Sequence, residues 1–398
     1  MDIRFIDSAR IENKRVILRA DFNVSLNPDH SIADDFRIQR TVPTIQHLLK
    51  NNNTITILAH LGKPDGIDPK FSLAPVAVDL QKYLEGYNVV LAKTIEEAKT
   101  NTDPKTVVLL ENIRYWKGEK ENDPEFAKEL ASLGEVFVND AFGACHRENA
   151  SIVGLPKLLP SYAGLLVKKE IEMLERVVKN PAHPVVVIMG GAKVSTKINL
   201  ISRLMEIADY LLVGGGLANT FFAATGYNMG SSFFEKNEKE HAEKLLKLAA
   251  EKKTHIILPV DVIIGEKNNP DGNDGVVKPS EILGSETRAI LDIGPETQAI
   301  WGNTISQAAT IIWNGPVGFM EHPSFRRGTD FLYYAITQNE KAVSVVGGGE
   351  TLAAITKKEY LDKISHISTG GGAMLEFIER GSLPGLIALE ESMVNSKW

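Results

Sequence analysis

The chain has 398 residues, of which 43% are hydrophobic and 24% charged, a composition typical of a soluble globular protein with enough apolar residues for two domains. Its formal net charge of −7 argues against a nucleic-acid-binding protein, so an anionic substrate must be met by a local cluster of Lys and Arg. The single Cys145 excludes an intrachain disulfide, and we interpret it as a small buried apolar residue. With no signal-peptide pattern and no apolar run long enough for a membrane, we expect a cytoplasmic protein without membrane partners.

Short runs rich in β-branched residues alternate with helical stretches along the chain, which indicates parallel sheets flanked by helices. Their near-continuous apolar character suits sheets that are covered on both faces. In the first half we predict strands at RVILRAD (15–21), TITILA (54–59), TVVLLE (106–111) and EVFVND (135–140). In the second half we predict strands at PVVVIM (184–189), YLLV (210–213), HIILP (255–259), TIIW (310–313), AVSVV (342–346) and HIST (366–369). The fold class predicted is therefore α/β, with two doubly wound, Rossmann-like domains.

A single helix is predicted between the two halves, over residues 165–180. Val167, Ile171, Leu174 and Val178 are spaced so that one helical face is apolar, and prolines stand on either side of the segment. We therefore predict an N-terminal domain over 1–164, a connecting helix over 165–180 and a C-terminal domain over 181–382. The segment EKNNPDGNDG (266–275) is predicted to be a turn-rich surface excursion.

Polar and basic side chains follow every predicted strand of the first half. In open α/β sheets, ligands bind outside the carboxyl ends of the strands, so these side chains are candidates for one site. Any one of them alone is more simply a solvated loop residue, but together they favour a site for a small, highly anionic ligand. The segments that carry them are Asp21, Phe22 and Asn23, Arg37 in the loop that follows, His60, Leu61, Gly62 and Lys63, Asn112 and Arg114, and finally His146 and Arg147.

Glycine turns follow the strands of the second half, at residues 190–191, 214–216, 314–318, 347–349 and 370–372. A single Gly-Gly-Gly is as readily a tight turn, but five turns at one sheet edge suit a nucleotide, because they let the backbone approach phosphates and base. Lys193 and Lys197 lie where a helix is predicted to begin, so their spacing places both ammonium groups on one helix face. Without the glycines, a solvated helix face would be the better interpretation.

The standard nucleotide motifs are absent, since no G-x-x-x-x-G-K-[ST] and no G-x-G-x-x-G occurs. In VVGGGETLAAI (345–355) the first side chain after the glycines is Glu350, an acid where a phosphate is expected. It is either a favourable acid at a helix N-terminus or a ligand of Mg²⁺, which is typically held by one or two carboxylates and substrate phosphate oxygens.

Nine motifs in chain order, between residues 20 and 385, resemble those of the phosphoglycerate kinase family. They are ADFNV, AHLGKP, LLENIRYWKGEKEN, DAFGACHRENAS, GGAKVSTKI, VGGGLANTF, WNGPVGFME, VVGGGETLAAI and STGGGAMLEFIERGSLPG. The resemblance implies a monomeric, glycolytic enzyme with two hinged domains and ligands facing a central cleft. It implies phosphoryl transfer from 1,3-bisphosphoglycerate to Mg-ADP, which gives 3-phosphoglycerate and Mg-ATP. It also implies that the tail over 383–398 returns to the N-terminal domain.

The resemblance assigns roles to matching positions. It implies substrate binding by Asp21, Phe22, Asn23, Arg37, His60, Leu61, Gly62, Lys63, Arg114 and Arg147. It implies nucleotide binding by Lys193, Lys197, Gly215, Asn314, Pro316, Glu321, Gly347, Gly348, Gly349, Glu350 and Thr351, with Glu350 as the Mg²⁺ ligand. It implies catalytic roles for Arg37, Lys193, Gly349 and Gly372.

Two positions depart from the family pattern, which commonly has Arg at the position of Lys63 and Asp at that of Glu350. Lys63 keeps the charge but loses the bidentate fork of an arginine. Two other functions stay open on the residues alone. One is a nucleotide-binding regulatory protein without turnover, which would have no use for the basic cluster. The other is a dehydrogenase of doubly wound fold, whose dinucleotide motif is missing here.

Overall fold

The computed structural model describes residues 2–100, 103–266, 273–281, 287–355 and 358–394. The chain forms two compact units, one of Met1–Glu172 together with Arg380–Trp398, the other of Met173–Glu379. Each unit contains one six-stranded parallel sheet, so the predicted α/β class with two parallel-sheet domains is confirmed.

The sheet of the first unit is parallel throughout. Its strands Val136–Asp140 and Arg15–Ala20 are buried along nearly their whole length, which explains their continuous apolar sequences. The predicted strands are present with ends shifted by a residue, whereas the outer strands Asn88–Ala92 and Ser161–Ala163 were not predicted. In spatial order the strands are Asn88–Ala92, Thr106–Leu110, Thr54–Leu58, Arg15–Ala20, Val136–Asp140 and Ser161–Ala163.

Helices and a small hairpin complete this unit. The hairpin pairs Ser25–Leu26 with Ile32–Asp34. The interpretation of Arg37 as a loop residue is wrong, because it lies in the first turn of the helix Phe36–Lys50. The other helices before residue 165 are Ala74–Gln81, Ile95–Lys99, Lys117–Glu121 and Pro124–Ala131.

The sheet of the second unit is also parallel throughout, with strand ends again within about two residues of those predicted. Its strands lie in the order His255–Ile257, Tyr210–Val213, Val185–Met189, Thr310–Asn314, Val343–Gly347 and His366–Ile367. Numbered along the chain, this order is 3-2-1-4-5-6, the doubly wound arrangement. It reverses between Val185–Met189 and Thr310–Asn314, and ligands of such folds bind in the crevice at that point. The five glycine turns all follow strands of this sheet, as predicted.

A second, antiparallel sheet of three strands was missed by the sequence analysis. It consists of Asn273–Val277, Val262–Glu266 and Arg288–Ile293 in spatial order. The predicted turn-rich excursion over 266–275 is therefore wrong for Glu266 and for residues 273–275, which belong to strands, while 267–272 lie outside the described residues. The helices of this unit are Ile198–Leu204, Gly215–Ala224, Lys239–Lys252, Pro295–Ser306, Arg327–Gln338, Gly349–Ala354 and Gly372–Arg380.

The helix predicted over 165–180 spans Leu165–Val178, and the chain passes from one unit to the other within it. Its N-terminus is capped by Asp140, whose Oδ1 accepts hydrogen bonds from the amides of Leu166 (2.9 Å) and Val167 (3.2 Å). Asp140 is fully buried at the end of its strand, and this burial raises its pKa to about 7.

The last helix, Pro384–Val394, packs on the first unit. The amide of Gly385 donates to the carbonyl of Cys145 (2.8 Å), and Ala388 joins a buried cluster with Ala141 and Ile152. The backbone N–H of Asp2 donates to Glu390 Oε1 (2.8 Å), so this helix also holds the first residues of the chain.

Candidate active site

The carboxyl edge of the first sheet is organised around the loop at residues 60–63. Asn23 Oδ1 accepts from the amide of Gly62 (2.8 Å), Asn112 Nδ2 donates to the carbonyl of Leu61 (2.8 Å), and Arg114 Nη1 donates to that of Gly62 (2.5 Å). Side chains that follow two other strands thus fix this loop. The side chains of Phe22 and Leu61 are buried in the core, so they support the site without lining it.

Arg37 forms a close ion pair beside this loop. Its Nη1 donates to Asp21 Oδ2 at 2.6 Å, and Asp21 is buried whereas Arg37 keeps about a quarter of its side chain exposed. Asp21 therefore orients a guanidinium whose remaining N–H groups are available to an anion. Lys63 and Arg147 are exposed, and together with Arg114 they make this edge strongly cationic.

His60 does not contribute a positive charge to this edge, although the sequence analysis counted it among the basic residues. Arg19 Nη2 donates to its Nδ1 (2.9 Å), which makes Nδ1 an acceptor and leaves the proton on Nε2. Burial, reinforced by repulsion from Arg19, Arg114, Arg37 and Arg147, holds the pKa of His60 well below its ordinary value. The imidazole is a neutral hydrogen-bond donor within a group of arginines.

Arg19 is a member of this group that the sequence analysis missed. It lies within a strand, 2% exposed, where Nε donates to Ser151 Oγ (2.9 Å) and Nη1 to the carbonyl of Ala20 (2.5 Å). Glu119, which accepts from the amide (2.9 Å) and hydroxyl (2.7 Å) of the same Ser151, is the nearby countercharge. An arginine inside an otherwise apolar strand was the available signal, because a buried cation requires such partners.

Three glycine turns of the second unit are joined by backbone hydrogen bonds at the point where the strand order reverses. Gly190 N donates to Asn314 O (2.9 Å), Gly191 N to Pro316 O (2.8 Å) and Gly215 N to Val317 O (3.1 Å). The approach is close enough to require glycine, since a Cβ on Gly190 would lie 2.1 Å from Pro316 O. The turns therefore form one continuous backbone surface.

The predicted helix face shared by Lys193 and Lys197 is wrong, because the helix begins only at Ile198. Lys193 is exposed in the preceding loop, whereas Lys197 turns inward and its Nζ donates to Gly190 O (2.8 Å) and Asn314 Oδ1 (2.9 Å). Burial lowers the pKa of Lys197 to about 8, against an opposing effect of the negative charge on Glu350. One of the three ammonium N–H groups is left for a ligand.

The turn at Gly347–Thr351 contains Glu350, the acidic residue that follows the three glycines. Gly348 has φ 108°, and a Cβ there would lie 2.5 Å from Nδ2 of Asn314, which donates to Gly347 O (2.8 Å). Thr351 is buried, with Oγ1 donating to Gly347 O (3.0 Å) and accepting from Gly315 N (2.7 Å), so its hydroxyl is engaged within the protein. Glu350 by contrast is exposed, and its carboxylate forms no hydrogen bond or ion pair with the described residues.

A cavity of about 560 Å³ opens beside these turns, and it brings together Gly215, Pro316, Glu321 and Glu350 from the sequence prediction. Its other side is formed by residues that were not predicted, among them Ala289 to Asp292 of the antiparallel sheet and Asn219 and Phe233. Lys193, Lys197, Asn314, Thr351, Gly349 and Gly372 do not line it. No described atom lies within 4 Å of a Cβ built on Gly349 or Gly372.

Comparison with known proteins decides the family. A family model described as phosphoglycerate kinase matches residues 6–381. The chain belongs to the phosphoglycerate kinase family. It is 43% identical to phosphoglycerate kinase of Thermosipho africanus, over 98% of this chain and 97% of that protein. It is 42% identical to phosphoglycerate kinase 1, chloroplastic, of Arabidopsis thaliana, over 98% of this chain and 82% of that protein. The solved structure of phosphoglycerate kinase from Coxiella burnetii matches with a TM-score of 0.87 at 39% identity, covering 98% of this chain and 99% of that one.

As a phosphoglycerate kinase, the chain is a phosphotransferase. Its relatives include a chloroplast protein, so the cytoplasmic location stays a prediction. No helix among the described residues is long and apolar enough to cross a bilayer. Lys63 and Glu350, the two positions at which a departure from the family pattern is predicted, are both exposed.

Proposed function

We propose that the chain catalyses reversible phosphoryl transfer from 1,3-bisphosphoglycerate to Mg-ADP, with the glycerate bound by the first unit and the nucleotide by the second. The contrast between the two sheet edges carries this proposal. The first is lined by cations that suit a small anion, and the second by glycine turns beside a cavity large enough for a nucleotide. A regulatory nucleotide-binding protein would need only the second edge.

On the first unit, Arg37, Lys63, Arg114 and Arg147 would neutralise the phosphate and carboxylate groups of the glycerate. His60, held neutral by burial and by the neighbouring Arg19, would donate from Nε2 without adding charge. Asp21, Asn23 and Gly62 would act through the hydrogen bonds that hold Arg37 and the loop at residues 60–63.

On the second unit, Lys193 and Lys197 would bind the nucleotide phosphates, and Asn314 would act by holding Lys197 and the carbonyl of Gly347. Glu321 would contact the ribose, with Gly215 and Pro316 in the wall of the pocket. The backbone at Gly347, Gly348, Gly349 and Thr351 would face the phosphates.

Magnesium fits the chemistry of this site. Within the described ranges no group of three or more His, Cys, Asp or Glu side chains is arranged to hold a metal ion. Mg²⁺ needs no such cage, because it is commonly held by one or two carboxylates, water and substrate phosphates. Glu350, an exposed carboxylate with no hydrogen-bond or ion-pair partner among the described residues, would be that ligand, and the ion would supply positive charge next to the transferred phosphoryl group.

No general base is required, since the acceptor in the ATP-consuming direction is a carboxylate that is already ionised at neutral pH. The protein must position two anions and screen the charge on the phosphoryl group. We assign this screening to Arg37 and Lys193, with Gly349 and Gly372 leaving room for the group in transit. With the substrates on different units, transfer requires domain closure.

A coupled assay with 3-phosphoglycerate and Mg-ATP tests the function, because the regulatory and dehydrogenase alternatives predict no turnover. Lys193→Ala should lower kcat by about 10²–10³-fold with a smaller change in KM for ATP, since it removes one charge contact to the transition state. A rise in KM alone would make Lys193 a ground-state anchor and leave the screening to Arg37. Gel filtration checks the proposed monomer, and localisation in cells checks the proposed cytoplasmic site.

A further inference from the structure

A buried serine and a buried glutamate lie behind the arginines of the first unit. Ser151 is fully buried and Glu119 is 1% exposed, so neither side chain can contact a substrate. The amide and the hydroxyl of Ser151 both donate to the carboxylate of Glu119, at 2.9 and 2.7 Å. Taking a carboxylate out of water is costly, and the cost is offset only where donors or a countercharge meet it.

Ser151 connects Glu119 to Arg19 in one direction. Because the hydroxyl proton points to Glu119 Oε1, the lone pairs of Ser151 Oγ face Arg19, whose Nε donates to them (2.9 Å). Glu119 is the main countercharge of this buried guanidinium, whereas the other acid nearby, Asp21, is bound to Arg37 at 2.6 Å. The serine hydroxyl therefore links the negative charge of Glu119 to Arg19 and holds the orientation of its guanidinium.

The opposite end of the same guanidinium fixes His60. Arg19 Nη2 donates to His60 Nδ1 (2.9 Å), and an arginine has donors only, so Nδ1 cannot carry a proton in this contact. Turning the ring over would place a carbon against Nη2 and leave that N–H without an acceptor. The orientation of the ring and the position of its proton, on Nε2, both depend on where Arg19 is held.

Nε2 is the atom of His60 that can reach a ligand. The residue is 5% exposed, and Nε2 has no hydrogen-bond partner among the described residues but is not fully buried. Arg37, Arg114 and Arg147 lie close enough to oppose a positive charge on the ring, so Nε2 lies among the cations of this sheet edge. A neutral N–H donor there can bind an anion, whereas the other tautomer would present a lone pair and repel it.

We propose that Ser151 and Glu119 are positioning residues of the glycerate site, which act through Arg19 to hold His60 in the one orientation and tautomer that donates a hydrogen bond to the anionic substrate. The inference rests on the glycerate role proposed above for His60. If the network only neutralised a buried cation, its loss would lower the stability of the fold without changing the tautomer of His60.

Nitrogen NMR of the full chain, labelled at histidine, observes the tautomer directly, because protonated and unprotonated ring nitrogens have well-separated chemical shifts. His60→Gln assigns the signals of this ring among the nine histidines. In the wild type, Nε2 should carry the proton at neutral pH. In Ser151→Ala the two nitrogen shifts should move toward each other, because Arg19 loses the acceptor that holds it and both tautomers become populated.

Calorimetric titration with 3-phosphoglycerate measures the accompanying change in affinity. Ser151→Ala should weaken binding roughly tenfold, the lower end of the range for a hydrogen bond to a charged group, while the affinity for Mg-ADP stays unchanged. In a His60→Leu background the same substitution should have little further effect, because the serine acts only through the imidazole.

Ser161→Ala is the matched control. Ser161 is also a buried serine of the first unit, but its hydroxyl donates to the carbonyl of Leu159 (2.8 Å) and takes no part in the contacts of Arg19. This variant should keep the wild-type tautomer and affinity. Glu119→Gln keeps the size of the side chain but replaces one acceptor oxygen by a donor, so it should reproduce the effects of Ser151→Ala and decides the matter if that variant does not fold.

A wild-type His60 with its proton on Nδ1 would overturn the inference, and so would a Ser151→Ala variant with the wild-type tautomer. A loss of affinity that is equally large in the His60→Leu background, or in Ser161→Ala, would also overturn it. Failure of the wild type to bind 3-phosphoglycerate would overturn the proposed glycerate site as well. If neither Ser151→Ala nor Glu119→Gln folds, the wild-type spectrum decides: an Nε2 proton whose signal moves on adding 3-phosphoglycerate supports the inference, and an unchanged signal contradicts it.

Discussion

Gly372→Ala should separate catalysis from stability. Gly372 opens the helix Gly372–Arg380 without a positive φ, and a Cβ there meets no described atom within 4 Å. The fold therefore does not require glycine at this position. Restricting the unfolded chain should stabilise the protein by about 0.4–1 kcal/mol, which corresponds to a rise in Tm of about 1–4 °C for a unit of this size. If the transferred group passes here, the added methyl should lower kcat by about a hundredfold, the cost of roughly 1 Å of misplacement.

Gly348→Ala gives the opposite expectation for stability, since the fold itself needs that glycine. With φ 108° and a Cβ only 2.5 Å from Asn314 Nδ2, it should lose roughly 2–4 kcal/mol to backbone strain and a broken hydrogen bond, with a Tm several degrees lower. Scanning calorimetry and steady-state kinetics in both directions measure the two effects. If Gly372→Ala kept the wild-type kcat, the catalytic role given to this position would be wrong.

Two further predictions concern charge in the second unit. Lys197 has a pKa of about 8 and must be protonated to attract phosphate, so the affinity for ADP should fall above pH 8, approaching tenfold per pH unit. Lys197→Arg should make the affinity nearly independent of pH, because arginine stays charged. Calorimetric titration from pH 7.5 to 9 measures this above the pKa of the ADP phosphates, and a pH-independent affinity in the wild type would contradict the role given to Lys197. Glu350→Gln should clearly weaken the binding of Mg-ADP but change the binding of metal-free ADP little, and Glu350→Asp should keep most of the activity. If calorimetry showed that Mg²⁺ strengthens ADP binding equally in the Gln variant and the wild type, Glu350 would be only a favourable acid at a helix N-terminus.

The parallel sheets could be predicted from sequence because their buried strands are mostly apolar on both faces, as in Val185–Met189. The three antiparallel strands were missed since they interrupt the β-α alternation on which the prediction depended. Val262–Glu266 and Arg288–Ile293 are apolar runs of strand length, so the signal was present. Asn88–Ala92 was missed because it is a partly exposed edge strand.

Strand-end position predicts which residues lie at the carboxyl edge of each sheet, but it does not fix what each side chain does. Lys197 was predicted to share a helix face with Lys193, yet it turns inward because Gly190 O and Asn314 Oδ1 provide acceptors from distant parts of the chain. The neutral state of His60 follows from its burial and from nearby arginines, among them Arg19, forty-one residues away. Such pairings follow from tertiary packing, and no local pattern encodes them.

The return of Pro384–Val394 to the first unit affects the order in which the protein can fold during translation. Residues 1–172 emerge first, but the alanine that completes the cluster with Ala141 and Ile152 is Ala388, which follows the whole second unit. At roughly 5–20 residues per second, the ribosome takes about 10–40 s to cover the intervening two hundred or so residues. During that time the first unit lacks its last helix, while the contiguous second unit can fold as it is made. The half of the enzyme that is synthesised first is thus the half that is completed last.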